Sequence, residues 1–285
     1  MSITLQTRSY PFRLMKIDSR GGCHPFITFF HDKKSYNALI DCGASHSLLS
    51  KDFFEDVPEE NPALRSVGMG NDFSIWTITL DTLRLSGLNL TDVMLLKSDL
   101  SHINQSLSSM GFPAIDGILG CDLLRRLKAK IDFEQRQLLF QNAKQTHPLH
   151  LEGNKPDNFF TLTLTLKNKS LRLLLDTGAS QTLLDLPVAD ALLPDITEWK
   201  INDRATTGIS PDDILNLTRP MSIAFDNSGA DDVPHWEVHF ICLKMNRINH
   251  SYQSIGLPPV DAILGLDFLN EFCKNMDFKK RAISN

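Results

Sequence analysis

One motif occurs twice in this chain and limits what it can fold into. Leu39-Ile40-Asp41-Cys42-Gly43-Ala44-Ser45 and Leu174-Leu175-Asp176-Thr177-Gly178-Ala179-Ser180 stand at an offset of 135 residues within a total of 285. Each is an apolar run that ends on an aspartate followed at once by a glycine turn. The likeness extends well beyond the motif. Lys34-Ser35 matches Lys169-Ser170 upstream. Downstream, Gly111-Phe112-Pro113-Ala114-Ile115-Asp116-Gly117-Ile118-Leu119-Gly120 matches Gly256-Leu257-Pro258-Pro259-Val260-Asp261-Ala262-Ile263-Leu264-Gly265. The second pair has a somewhat longer offset, so the second copy carries an insertion between its motifs. The repeating unit is therefore a domain, and internal repetition is the strongest single guide to architecture. Two domains of ordinary size are expected, residues 1–145 and 146–285, joined by the Pro- and Gly-containing stretch 142–158.

The local pattern within each copy is that of strands. Tyr10 to Asp18, Phe26 to Phe30 and Tyr36 to Ile40 read as strands in the first copy, as do Trp76 to Leu80, Leu83 to Leu85 and Leu88 to Leu96. Phe159 to Leu166 and Leu171 to Leu175 repeat the plan in the second. Short helices are expected after Asp122 and Asp267, each aspartate acting as a cap. Hairpins from Ile131 to Phe140 and from Asn275 to Ile283 close the copies. This density of strands predicts an all-β fold.

An apolar strand ending in Asp-Thr-Gly-Ala-Ser, with an Ile-Leu-Gly well downstream, resembles the aspartic proteases of the retroviral type. The first copy, with Cys42 after its aspartate, is especially similar to proteases encoded by retrotransposons. The resemblance implies two tandem retropepsin-like lobes forming an intramolecular pseudodimer, with Asp41 and Asp176 meeting as a catalytic dyad. It implies that Gly43 and Gly178 let the two loops approach, and that Cys42 and Thr177 reach across to the opposite loop. Ala44 and Ala179 stand where pepsin-like relatives carry a hydroxyl. The resemblance also places mobile flaps at Gly68, Met69 and Gly70 and at Thr207, Gly208 and Ile209, closing over an extended peptide that binds as an added strand.

The chemistry explains why two copies are needed. Hydrolysing a peptide bond without a metal or covalent nucleophile takes a base for the water and an acid for the carbonyl oxygen. Two adjacent carboxyl groups cannot both ionise readily, so the pair holds one proton and supplies both functions. A mildly acidic optimum, about pH 4 to 6, is expected. Cys42 is the main departure from the pattern. A thiol donates more weakly than a hydroxyl, which predicts a lopsided clasp.

No cofactor or metal is expected. His235 and His239 fall on a strand with no third ligand in view. His46 aligns with Gln181 and is expected at the rim, and Asp116 and Asp261 are expected in turns or caps. The net charge of -5 and the absence of a basic run give no nucleic-acid footprint. Met1 to Asp18 lacks the apolar core of a secretory signal, and no run is long enough to span a membrane. With five cysteines and no Cys-x-x-Cys, a reduced, cytoplasmic protein is expected, without a disulfide framework. The expected partner is a peptide or protein substrate and the expected state a monomer. A homodimer with separate Asp41 and Asp176 sites and a catalytically weak peptide-binding scaffold are the alternatives.

Overall fold

The computed structural model describes residues 8–16, 23–53, 60–62, 66–67, 72–73, 75–85, 88–140, 159–166, 169–192, 200–201, 217–224, 235–254 and 256–284. The stretches expected as flaps, 68–71 and 207–210, and the expected linker 142–158 lie outside them. The fold is mostly β, as the strand pattern predicts.

Both halves arrange their strands in the same order. In the first half, neighbours run Arg13–Lys16, Cys23–His31, Lys34–Ile40, Gly117–Leu119, Leu48–Ser50, Leu88–Ser98, Ile75–Leu85, Glu60–Pro62. In the second they run Thr161–Leu166, Lys169–Leu175, Ala262–Leu264, Leu183–Asp185, His235–Leu243, Leu217–Ala224, Lys200–Ile201. The Ile-Leu-Gly strand lies parallel to the aspartate strand in each, pairing Leu119 with Ile40 and Leu264 with Leu175. Each aspartate strand is thus flanked on both edges, and its last three residues, Ala38-Leu39-Ile40 and Leu173-Leu174-Leu175, are apolar and buried.

A third sheet joins the halves. Arg8–Pro11, Gln137–Phe140, Ala129–Asp132, Asn275–Asp277 and Ala282–Ser284 lie side by side, and Ile131 pairs with Met276 where the two closing hairpins meet. The Tyr10 segment is not one strand. It breaks at the buried Phe12, sending Arg8–Pro11 to the shared sheet and Arg13–Lys16 to the first half's own sheet. Conversely, Ile75–Leu85 is one continuous strand where two were expected, paired along its length with Leu88–Ser98.

Three helices among the described residues escape the strand reading, Leu186–Leu192 and a matching pair. Helix α1, Ser101–Ser109, and its counterpart Asn246–Ser254 are polar, with a narrow buried seam at Leu107 in the first and at Ile248 and Tyr252 in the second. Asn104 bonds through its amide to both backbone groups of Ile115, at 2.8 and 3.0 Å. Asn249 does the same for Val260, also at 2.8 and 3.0 Å. Gly111 and Gly256 turn the chain out of these helices at φ 81 and φ 77, the left-handed conformation glycine adopts without strain. The main core runs continuously from Tyr10 in the first half to Phe278 in the second.

Candidate active site

The site is built where the two aspartate strands end. The backbone N–H of Asp41 donates to the Leu119 carbonyl at 3.0 Å, and that of Asp176 to the Leu264 carbonyl at 3.0 Å. Each chain then turns so that its own loop amides reach the carboxylate. Gly43 N and Ala44 N donate to Asp41 Oδ1 at 2.8 and 3.1 Å. Gly178 N and Ala179 N donate to Asp176 Oδ1 at 2.7 and 3.1 Å. The alanines thus serve through their backbones, where a hydroxyl-bearing side chain is absent.

The loops cross so closely that each glycine faces the opposite carboxyl. A Cβ on Gly43 would lie 2.3 Å from Asp176 Cγ, and one on Gly178 would lie 2.4 Å from Asp41 Cγ. Only a residue without a side chain fits at either place. The two carboxyl groups hydrogen-bond to each other.

Beneath them is a reciprocal clasp of fully buried groups. Thr177 Oγ1 donates to the Ile40 carbonyl at 2.8 Å and accepts from Cys42 N at 3.0 Å. Cys42 Sγ donates to the Leu175 carbonyl at 3.2 Å and accepts from Thr177 N at 3.3 Å. The connectivity is symmetric, so the expected lopsidedness lies in bond strength alone. Sulfur is larger and a weaker donor and acceptor than oxygen, and both of its bonds are the longer ones.

Burial pushes both aspartates above the ordinary carboxylate range. For Asp41 the Asp176 charge adds to burial, and the mutual hydrogen bond raises it further while lowering Asp176. The loop amides oppose the rise at both. Burial and the closeness of the two carboxyls favour one proton shared between them over two charges, so the titration steps belong to the pair. Burial also raises the Cys42 thiol, which stays protonated and able to donate.

Asp122 and Asp267 do not cap their helices from outside. They lie within the first turns of α2, Cys121–Arg126, and of Leu266–Phe272, whose caps are Gly120 and Gly265. Their carboxylates instead hold the ends of the aspartate loops. Asp122 Oδ1 accepts from Ser47 N and Ser47 Oγ, both at 2.7 Å, and Gly120 N donates to Ser47 Oγ at 2.9 Å. Thr182 repeats this with Asp267 at 3.0 and 2.7 Å, receiving Gly265 N at 3.0 Å. The offset of 135 that relates Asp41 to Asp176 also relates Ser47 to Thr182, and the fold shows what the two hydroxyls do. Asp116 and Asp261 likewise act as braces, accepting from Asn37 N at 2.7 Å and Arg172 N at 2.6 Å.

Of the sequence-predicted residues, Asp41, Cys42, Gly43, Ala44, Asp176, Thr177, Gly178 and Ala179 come together here. Gly68, Met69, Gly70, Thr207, Gly208 and Ile209 lie outside the described residues. His46 is not a rim residue: it is buried, with Ser45 Oγ 2.9 Å from its Nδ1. The His235–Leu243 strand forms as expected, with the side chains of His235 and His239 outside the described set. Tyr252 is an addition. It is buried near the aspartates, and burial followed by the Asp176 charge pushes its hydroxyl up. Among the described residues, no three His, Cys, Asp or Glu side chains converge as a metal would need.

Residues 28–123 match the family model described as aspartyl protease. That segment takes in Asp41, Ser47, Gly120 and Asp122. Among solved structures, EIAV protease complexed with the inhibitor HBY-793 is similar at 19% identity and a TM-score of 0.28, over 36% of this chain and 88% of its own. The search of curated proteins returned no match. No helix among the described residues is long and apolar enough to cross a membrane.

Proposed function

We propose that the protein is an aspartic endopeptidase in which residues 1–145 and 146–285 act as the two lobes of an intramolecular pseudodimer. The observation that carries this reading is the crossing of the two loops, each glycine giving way to the opposite carboxyl group. The ionised member of the Asp41/Asp176 pair takes a proton from a water placed between them as that water's oxygen bonds to the scissile carbonyl carbon, while the protonated member donates to the carbonyl oxygen. When the tetrahedral diol collapses the C–N bond breaks, the first carboxyl passes its proton to the leaving amine, and the second recovers one from a diol hydroxyl, which resets the pair. The clasp of Thr177 and Cys42 fixes the two loops against each other, and the Ser47–Asp122 and Thr182–Asp267 bonds fix where each loop ends.

The substrate is an extended peptide, and one chain supplies both carboxylates, so a monomer suffices. The covering role given to Gly68, Met69 and Gly70 and to Thr207, Gly208 and Ile209 rests on the family resemblance. Five buried free cysteines suit a reducing compartment such as the cytoplasm.

Cleavage of a peptide library near pH 5 by wild type, Asp41→Asn and Asp176→Asn tests the reading. Loss in both variants is expected. Loss in only one points to separate sites, and peptide binding without dyad-dependent cleavage points to a scaffold.

A further inference from the structure

His24 lies on the Cys23–His31 strand and is 5% exposed, yet its Nδ1 has no hydrogen-bond partner among the described residues. Its ring meets Phe112 edge-on, with centroids 4.8 Å apart. Burial pushes its pKa down to about 4, so the imidazole is mostly neutral at pH 5 and above. A buried polar atom left unpaired carries a cost that a bound group can relieve.

The position of the ring says where such a group would come from. Side chains two apart on a strand share a face, so His24 sits with Phe26. Phe26 stands opposite Leu39 in the sheet, and Leu39 is two residues before Asp41. Phe26, Leu39, Phe112 and Ile118 form one cluster, against which Ala44 of the aspartate loop packs. This wall therefore leads up to the carboxyl pair.

The other half has the same wall with different chemistry. The offset that relates Asp41 to Asp176 relates His24 to Phe159, whose ring lies 5.0 Å from that of Tyr252. Leu174, Ile263 and Ala179 complete that cluster, mirroring Leu39, Ile118 and Ala44. Ala179 belongs to the second aspartate loop, which sets this wall beside the pair.

We propose that His24 is a specificity-determining residue: the first half's wall selects a substrate side chain carrying a carboxamide, which bonds Nδ1, while the Phe159 wall takes an apolar or aromatic side chain. The inference rests on the endopeptidase reading for its orientation relative to the scissile bond. A neutral imidazole presents Nδ1 as donor or acceptor according to tautomer, and a carboxamide offers both complements. An aliphatic side chain there would leave the atom unpaired.

The test uses the full chain carrying Asp176→Asn, so that turnover plays no part. Binding is read by fluorescence anisotropy with octapeptides that carry Gln, Asn, Leu or Phe at each position in turn. At one position, Gln or Asn should bind about tenfold tighter than Leu, and adding His24→Phe should reduce that ratio to under about twofold. A Leu preference at every position, a ratio that survives His24→Phe, or no peptide binding at all would overturn the proposal. A readout without a His24 variant guards against a folding defect. In chain labelled with 15N-histidine, the tighter peptide should shift the His24 Nδ1 resonance and its Leu counterpart should not; equal shifts overturn the proposal. Failure of wild type to cleave any peptide would sink the endopeptidase reading separately, while these binding measurements still decide the role of His24.

Discussion

Replacing Thr177 by valine keeps the volume of a fully buried side chain and removes one oxygen. That oxygen satisfies two backbone groups of the opposite loop, accepting from Cys42 N at 3.0 Å and donating to the Ile40 carbonyl at 2.8 Å. Each orphaned buried group costs about 1–3 kcal/mol, so the variant should lose about 2–6 kcal/mol. Cys42→Thr tests the same clasp in the other direction. It exchanges two weak sulfur bonds, at 3.2 and 3.3 Å, for hydroxyl bonds in a place whose mirror image already houses a threonine, and should gain about 0.5–1.5 kcal/mol. Urea unfolding at pH 6, followed by tryptophan fluorescence and far-ultraviolet circular dichroism together, measures both. If Thr177→Val stays within about 1 kcal/mol of wild type, the clasp contributes little and the account of how the loops are held is wrong.

Gly43→Ala should lower cleavage at least about a hundredfold, because its new Cβ would meet Asp176 Cγ at 2.3 Å and drive the carboxyl aside. The stability cost should be about 1–3 kcal/mol, and peptide turnover beside a thermal melt separates the two effects. Asp176→Asn should stabilise the chain at neutral pH. The raised aspartate makes the folded state bind more protons than the unfolded one, so wild-type stability falls as pH climbs above about 4. The advantage of Asn should therefore shrink as pH drops toward that value, and unfolding midpoints for both proteins from pH 4 to 7 give the slope. A constant difference would contradict the raised value. Ser47→Ala and Thr182→Val should each cost about 2–4 kcal/mol, since each removes one bond to a carboxylate and one from a glycine N–H, and calorimetry of the two should give similar losses.

Much of the site was legible because the repeat carries it. Asp41, Gly43, Asp176 and Gly178 stand in copies of one motif, and a glycine after an aspartate at a strand end already states that something approaches closely. Cys42 was legible as an anomaly, but its bonds depend on the partner loop and could not be read from its own copy. His46 was misplaced because a polar residue in a loop ordinarily faces water, whereas here the loop end is held inward by Asp122. Asp122 looked like a helix cap for a related reason. Its sequence neighbourhood suits capping, while the Ser47 groups it holds are 75 positions away. The helices Ser101–Ser109 and Asn246–Ser254 went unseen because their polar sequences carry only a narrow apolar seam, and their Asn braces reach strands outside the local window.

The sequence by itself determined that there would be two like units, mostly of strand, each presenting one aspartate at a glycine turn. Those properties follow from short-range patterns of apolar spacing and backbone freedom, which every segment carries in its own residues. Only the tertiary structure decided that the two aspartates face each other, that a thiol and a hydroxyl hold them there, and that one wall carries an unpaired imidazole where the other carries a phenyl ring. Those are relations between groups about half the chain apart, and they exist only once the shared sheet and common core have brought the two halves together.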